Sequence, residues 1–345
     1  MSWGFIIMLG IAAAAVTVLA TGLVLWQLRA RQILDHPNER SSHERAVPRG
    51  GGIAVMATLS VGWCLLTWWQ GESPEMAIIA LLAIALAGFS FLDDLKGLPA
   101  VSRLVLQALT VAVGCTLLPQ EPVFQGIFPP IVDQVATWFC WLWFVNLFNF
   151  MDGVDGISAV EASCIGIGIA LITAGNGPGA HLAASAAIVA GAAIGFGIWN
   201  WHPAKIFLGD VGSVGLGFVL GWLLLSLAAS GQWLPALILP LYYLSDATWT
   251  LLRRLLRGEK FWQAHRCHFY QYAVRQSGNH GLIALLVLCC NLVLITATVW
   301  AALWDGGWLA LVLASVAVLL LLYNFATMKT PESSSAKKTD GLDGS

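Results

Sequence analysis

The 345-residue chain is 58% hydrophobic and only 10% charged, with a mean hydropathy of +0.76. A soluble domain carries roughly 25% charged residues, so this composition cannot cover itself with a water-facing surface, and its solvent must be lipid. The net charge of −2 argues against a nucleic-acid partner, which would call for a basic field.

Apolar runs of helix length follow one another near 4–28, 50–69, 76–92, 103–119, 135–151, 157–174, 181–199, 212–230, 233–252, 281–303 and 307–325. Roughly 20 residues cross the hydrocarbon core of a bilayer as a helix. The third and fourth runs are short. The pattern therefore predicts an all-α polytopic membrane protein with ten or eleven transmembrane helices. The first run is too long for the core of a signal peptide and is read as an uncleaved helix. The seven cysteines include no CxxC pair and sit mostly inside apolar runs, where they read as small buried hydrophobes. No period repeats and no linker is long enough to separate a second domain. Residues 1–328 are expected to form one transmembrane catalytic domain, and 329–345, polar and of low complexity, a disordered tail.

Orientation follows from the basic residues. With the N-terminus outside, all 17 Lys and Arg fall in the inner loops near 29–49, 93–103, 200–211 and 253–280 or in the tail, while the outer loops carry acids such as Glu72, Glu121, Asp133 and Asp305. The same topology gathers the unusual polar motifs on the inner face. Asp93-Asp94 end the third run, where two adjacent carboxylates suit a proton acceptor or a cation site, or simply a solvated helix end. In the run from Asn146 to Gly156, Asn149 and Asp152 share a helix face, and Asp152-Gly153 and Asp155-Gly156 then break the helix. That density of oxygen ligands suits Mg²⁺, which binds through one or two carboxylates plus phosphate oxygens. Asp210, in Phe207-Leu208-Gly209-Asp210-Val211-Gly212-Ser213, opens a helix and is either an anion-and-metal position or an N-cap. Pro48-Arg49-Gly50-Gly51-Gly52 is expected to open the second helix with free amides, and His265-Arg266-Cys267-His268 combines cation and imidazole groups. Asp246, inside the ninth run, is expected to pair with Arg253 or Arg254.

These motifs occur in the order and spacing of the polyprenyl-phosphate N-acetylhexosamine-1-phosphate transferases, the family of MraY and WecA, which the chain resembles from about residue 35 to 325. The His loop departs from the family's common HxHH, since only His268 aligns, and in this it resembles the WbpL-like branch that starts O-antigen repeats. The resemblance implies a cytoplasmic-face active site in a bacterial inner membrane, a UDP-N-acetylhexosamine donor, an undecaprenyl phosphate acceptor, Mg²⁺ or Mn²⁺, and a possible homodimer within the lipid bilayer. By the same resemblance Asp93 or Asp94 acts as catalytic base or positions the lipid phosphate, and Asn149 and Asp210 hold the metal. Asp155 contacts the nucleobase, Asp152 orders the site, and Arg266 and His268 bind the diphosphate. Lys96 and Arg103 would hold the lipid phosphate, with Arg49 a weaker diphosphate candidate and Lys205 an outside one. The competing reading is a multi-span transporter, which would want its ionisable residues near the membrane midplane and in two related halves.

Overall fold

The computed structural model describes residues 1–35, 46–70, 74–97, 99–174, 180–259, 266–304 and 307–329. Helices dominate them: α1 (Trp3–Ala30), α2 (Gly52–Gln70), α3 (Glu75–Lys96), α4 (Ala100–Cys115), α5 (Pro130–Phe150), α6 (Ile157–Thr173) and α7 (Ala180–Asn200). They continue as α8 (Gly209–Ala229), α9 (Trp233–Ile238), α10 (Leu241–Leu256), α11 (Phe269–Ser277), α12 (His280–Leu303) and α13 (Gly307–Thr327). A two-residue antiparallel ribbon, β1 (Leu34–Asp35) on β2 (Val47–Pro48), is the only extended pairing with a partner strand among the described residues. Eight of the helices are long and apolar enough to span a membrane, and α4 and α6 are shorter apolar helices. The protein is a multi-pass membrane protein.

Each predicted apolar run has its helix, with one difference. The ninth run is broken into α9 and α10 at Leu239-Pro240, because Pro240 has no amide to carry the helical ladder across that point. The polar stretch 269–277 forms the short α11, which the hydropathy pattern did not mark as an element.

The outer faces of the helices are apolar. Leu19, Trp26, Trp68, Leu256 and Leu320 are all more than 60% exposed, as lipid-facing residues are, whereas Thr17 and Thr21 of α1 turn inward. At the centre stands α8, nearly all of whose residues are buried. Trp141 of α5 stacks on Phe218 of α8 with ring centroids 4.8 Å apart, and its indole N–H donates to the Phe218 carbonyl. Lipid offers no hydrophobic drive between helices, so close packing has to come from small residues. Gly191 and Gly195 of α7 supply it against α1, because a Cβ at either would overlap backbone of Gly10 or Ala14.

Candidate active site

At one end of this bundle the connections before α2 and after α3, α5 and α7 converge. α3 carries Asp93 and Asp94 in its last turn and stops at Gly97, whose φ of +65° closes the helix. Consecutive helical side chains diverge by about 100°, and the two carboxylates take different partners. Asp93 is buried and accepts from Arg103 Nη1 of α4 at 2.9 Å. Asp94 lies 3.4 Å from Arg49 Nη1 and accepts from the Asp210 backbone amide at 3.2 Å. Arg49 Nη2 in turn donates to Asp210 Oδ1 at 2.9 Å, and Arg103 Nη1 stands 3.7 Å from Asp210 Oδ2. Three carboxylates and two guanidiniums from four separate chain segments form one network.

Arg49 reaches it because its strand is laced to the start of α8. Gly50 and Gly51 donate their amides to the Phe207 carbonyl at 3.1 and 2.8 Å, and Gly52 donates to Leu208 at 2.8 Å. This corrects the expectation of free amides. Buried N–H groups must find an acceptor, and the carbonyls of 207–208 lie alongside. A Cβ on Gly52 would overlap the Gly212 backbone, so no larger residue permits this crossing.

Asn149, at the end of α5, donates from Nδ2 to Ser213 Oγ at 2.8 Å, and Ser213 donates to the Gly209 carbonyl. With its nitrogen engaged, the Asn149 oxygen is the atom that remains to offer a cation. Asn149, Asp93, Arg103 and Asp210 form the polar end of a cavity of about 570 Å³. Its other walls are chiefly apolar and include Leu86, Phe89, Leu104, Phe139 and Leu142 from α3, α4 and α5.

Asp152 and Asp155 occupy the turn between α5 and α6. Asp152 is half-buried, and burial pushes its pKa from the usual 3.8 up to about 6, although a Ser158 hydrogen bond and Arg49 work against this. For Asp155 burial also raises the pKa, but hydrogen bonds from His280 and His202 outweigh it and the net shift is downward. His202 Nδ1 is 2.7 Å and His280 Nδ1 3.5 Å from the carboxylate, and the Ala204 amide donates to it at 3.1 Å. The two imidazoles stack with centroids 5.1 Å apart. Neither histidine stood out in the sequence, because His202 lies 47 and His280 125 residues downstream of Asp155, spacings that form no motif.

Two sequence candidates lie elsewhere. His268 is buried, with Nδ1 3.2 Å from Asp246 Oδ1, and Asp246 also accepts the amides of Phe269 and Tyr270 at the start of α11. This replaces the expected pairing of Asp246 with arginine, since Arg254 instead donates to Glu259 at 2.7 Å. Arg266 lines a separate, arginine-rich pocket. Lys205 sits over the Trp199 ring at 5.4 Å, and the Lys96 side chain lies outside the described residues. α11 still serves the site from behind: Tyr270 donates its hydroxyl to the Phe150 carbonyl at 3.0 Å and fills the space beside Gly153.

The family model described as glycosyl transferase family 4 matches residues 76–228, the segment carrying Asp93, Asp94, Asn149, Asp152, Asp155, His202 and Asp210. A phospho-N-acetylmuramoyl-pentapeptide-transferase of Synechococcus sp. (strain JA-3-3Ab) is 30% identical over 279 residues, covering 74% of this chain and 74% of the relative. The chain belongs to this family. Two further relatives, each 26% identical, extend the match across the bundle. A probable undecaprenyl-phosphate N-acetylglucosaminyl 1-phosphate transferase of Bacillus subtilis (strain 168) covers 86% of this chain and 88% of itself. A decaprenyl-phosphate N-acetylglucosaminephosphotransferase of Mycobacterium leprae (strain TN) covers 81% and 79%. As a glycosyl transferase family 4 member the protein is a membrane-embedded phosphotransferase, and Arg49, His268 and His280 lie outside the segment that the family model matches.

Proposed function

We propose that this enzyme transfers an N-acetylhexosamine 1-phosphate from a UDP-sugar to undecaprenyl phosphate, releasing UMP and starting a lipid-linked glycan such as an O-antigen repeat. The observation that carries this reading is the apolar cavity ending on Asp93, Arg103, Asn149 and Asp210. A polyprenyl chain is matched by the apolar walls and its phosphate by the charged end, where the donor's diphosphate must also arrive.

Two polyanions repel, so the reaction needs charge neutralised and the phosphates aligned. A lipid-phosphate oxygen attacks the sugar-bearing phosphorus of the donor, and the bond from that phosphorus to UMP breaks. Arg103, held on Asp93 and 3.7 Å from Asp210, is placed to receive the acceptor phosphate. Arg49 is placed for the donor diphosphate, and Asp94 orients it. Asp155, fixed by two histidines, serves the nucleobase end, while Asp152 orders the turn. His268 acts at a distance by fixing the start of α11. The donors also fit a divalent cation. Asp210 and Asn149, with Asp94 close by on the same Arg49, would hold it, and such an all-oxygen set suits Mg²⁺ or Mn²⁺. When bound, that ion would neutralise phosphate charge and stabilise the leaving UMP.

The charged groups of this network gather at one end of the helices and not half-way along them, which disfavours transport. Purified enzyme incubated with undecaprenyl phosphate and a panel of radiolabelled UDP-N-acetylhexosamines should release UMP only with Mg²⁺ or Mn²⁺ present. Asp210→Asn should lose turnover by at least about a hundredfold while keeping metal-free UDP-sugar binding. UMP release at the wild-type rate by that variant under limiting metal would reduce Asp210 to an ion-pair partner of Arg49.

A further inference from the structure

On the flank of the bundle, α10, α11, the end of α13 and the chain around Arg266 enclose a second cavity of about 400 Å³. Among the described residues, five guanidiniums line it, from Arg253, Arg254, Arg257, Arg266 and Arg275, against one carboxylate, Glu259. It shares no lining residue with the reaction cavity.

Two of the arginines are held in place from within the protein. Arg254 Nε donates to Glu259 at 2.7 Å, Arg275 Nη1 donates to the Arg266 carbonyl at 2.6 Å, and the Arg275 guanidinium lies over Tyr272 at 5.9 Å. A solvated basic loop would spread such charges apart, whereas here they converge on one concave space. Guanidiniums that face one space draw an anion into it. The surface beside the cavity identifies which anion. Leu252, Leu255 and Leu256 of α10 are 47%, 54% and 79% exposed and alternate with Arg253 and Arg257, while Trp249, 60% exposed, lines the cavity itself. Exposed leucines, a tryptophan and arginines on one helix end mark the level where hydrocarbon gives way to head groups. A ligand resting there has an apolar tail and a phosphate head.

We propose that this cavity is a binding site for the phosphate of an anionic phospholipid, separate from the polyprenyl acceptor site and independent of which sugar the enzyme transfers. Its guanidiniums bind the phosphate diester, and the acyl chains lie along the exposed leucines of α10.

The full-length protein is extracted from vesicles of equal phosphatidylglycerol and phosphatidylcholine, and retained lipid is counted by native mass spectrometry. Wild type should retain phosphatidylglycerol in clear excess. Each basic side chain near an anionic head group contributes about a factor of five, so R253Q/R257Q should lower that excess at least about tenfold. R253K/R257K, which keeps the charge, should restore most of it. An unchanged ratio in the glutamine variant, or an equal loss in the lysine variant, overturns the site. Displacement of phosphatidylglycerol from wild type by millimolar inorganic phosphate or glycerol phosphate assigns the cavity to a soluble anion and overturns the lipid reading. Weakened UDP binding in the glutamine variant assigns it to the donor and does the same. A measurement without substitutions completes the test: phosphatidylglycerol added to delipidated wild type should raise its Tm more than phosphatidylcholine does, and equal shifts overturn the proposal.

Discussion

Replacing Asp152 by asparagine should make the protein more stable and the enzyme worse. The carboxyl sits at a pKa of about 6 instead of 3.8 because burial disfavours its charge. The folded chain therefore holds a proton that the unfolded chain has lost, and stability falls as pH rises between those two values. At about 1.4 kcal/mol per pH unit, the ionised group costs up to about 3 kcal/mol above pH 7, and nearer 1 kcal/mol if solvent reaching the half-buried carboxyl screens it. Asparagine removes the charge and can still accept from Ser158. In metal-free detergent solution at about pH 8, Asp152→Asn should gain about 1–3 kcal/mol, a rise in Tm on the order of 5 °C or less. At about pH 4.5 the gain should shrink to about a third. Asp155→Asn should do the opposite. The wild-type carboxylate is favoured when folded, a contribution fully present above about 3.8 and lost only as pH falls through its lower folded value. That variant should be destabilised at both pH values. Thermal melts of the two variants and wild type at the two pH values make the comparison. A gain for Asp152→Asn that does not change with pH, or a loss at pH 8, refutes the argument that burial sets its ionisation.

The two carboxylates ending α3 should also separate in their effects. Asp93 is buried on Arg103 while Asp94 joins Arg49 and the Asp210 amide, so kcat measured for Asp93→Asn and Asp94→Asn should fall unequally, the worse by about 10²–10⁴; equal, mild losses would remove both from the reaction. Gly52→Ala forces a methyl into the Gly212 backbone, and backbone cannot give way as a side-chain tip can, so the variant should lose several kcal/mol and most of its yield of folded protein; wild-type Tm and activity would show that α2 and α8 do not cross so closely.

Much of this was legible in the sequence because lipid imposes a simple rule: every span must be apolar and helical. Eleven runs were read, and each has its helix, with the ninth broken at Pro240. Asp93, Asp94, Asn149 and Asp210 were legible as acids and amides at helix ends, where polar groups are costly unless used. What stayed hidden depends on partners remote in the chain. The amides of Gly50–Gly52 looked free because their acceptors, Phe207 and Leu208, lie more than 150 residues away. The two imidazoles on Asp155 are likewise brought in from the connection after α7 and the start of α12. Asp246 misled for a related reason: the nearest arginines by sequence were two turns along the helix, but His268 and two amides at the start of α11 satisfy it more completely.

The lacing of residues 48–52 to 207–208 also bears on how the protein is made. Synthesis and membrane insertion run from the N-terminus, so Arg49, Asp93 and Asp94 enter the bilayer's edge well before Asp210 exists. Asp93 can find Arg103 almost at once, ten residues on. Arg49 and Asp94 can meet each other but must wait for α8 to complete their partners. A chain stopped before residue 207 would hold these charged side chains and three glycine amides at the membrane boundary with their acceptors unmade. The reaction site cannot exist until more than half of the polypeptide has been threaded into the bilayer.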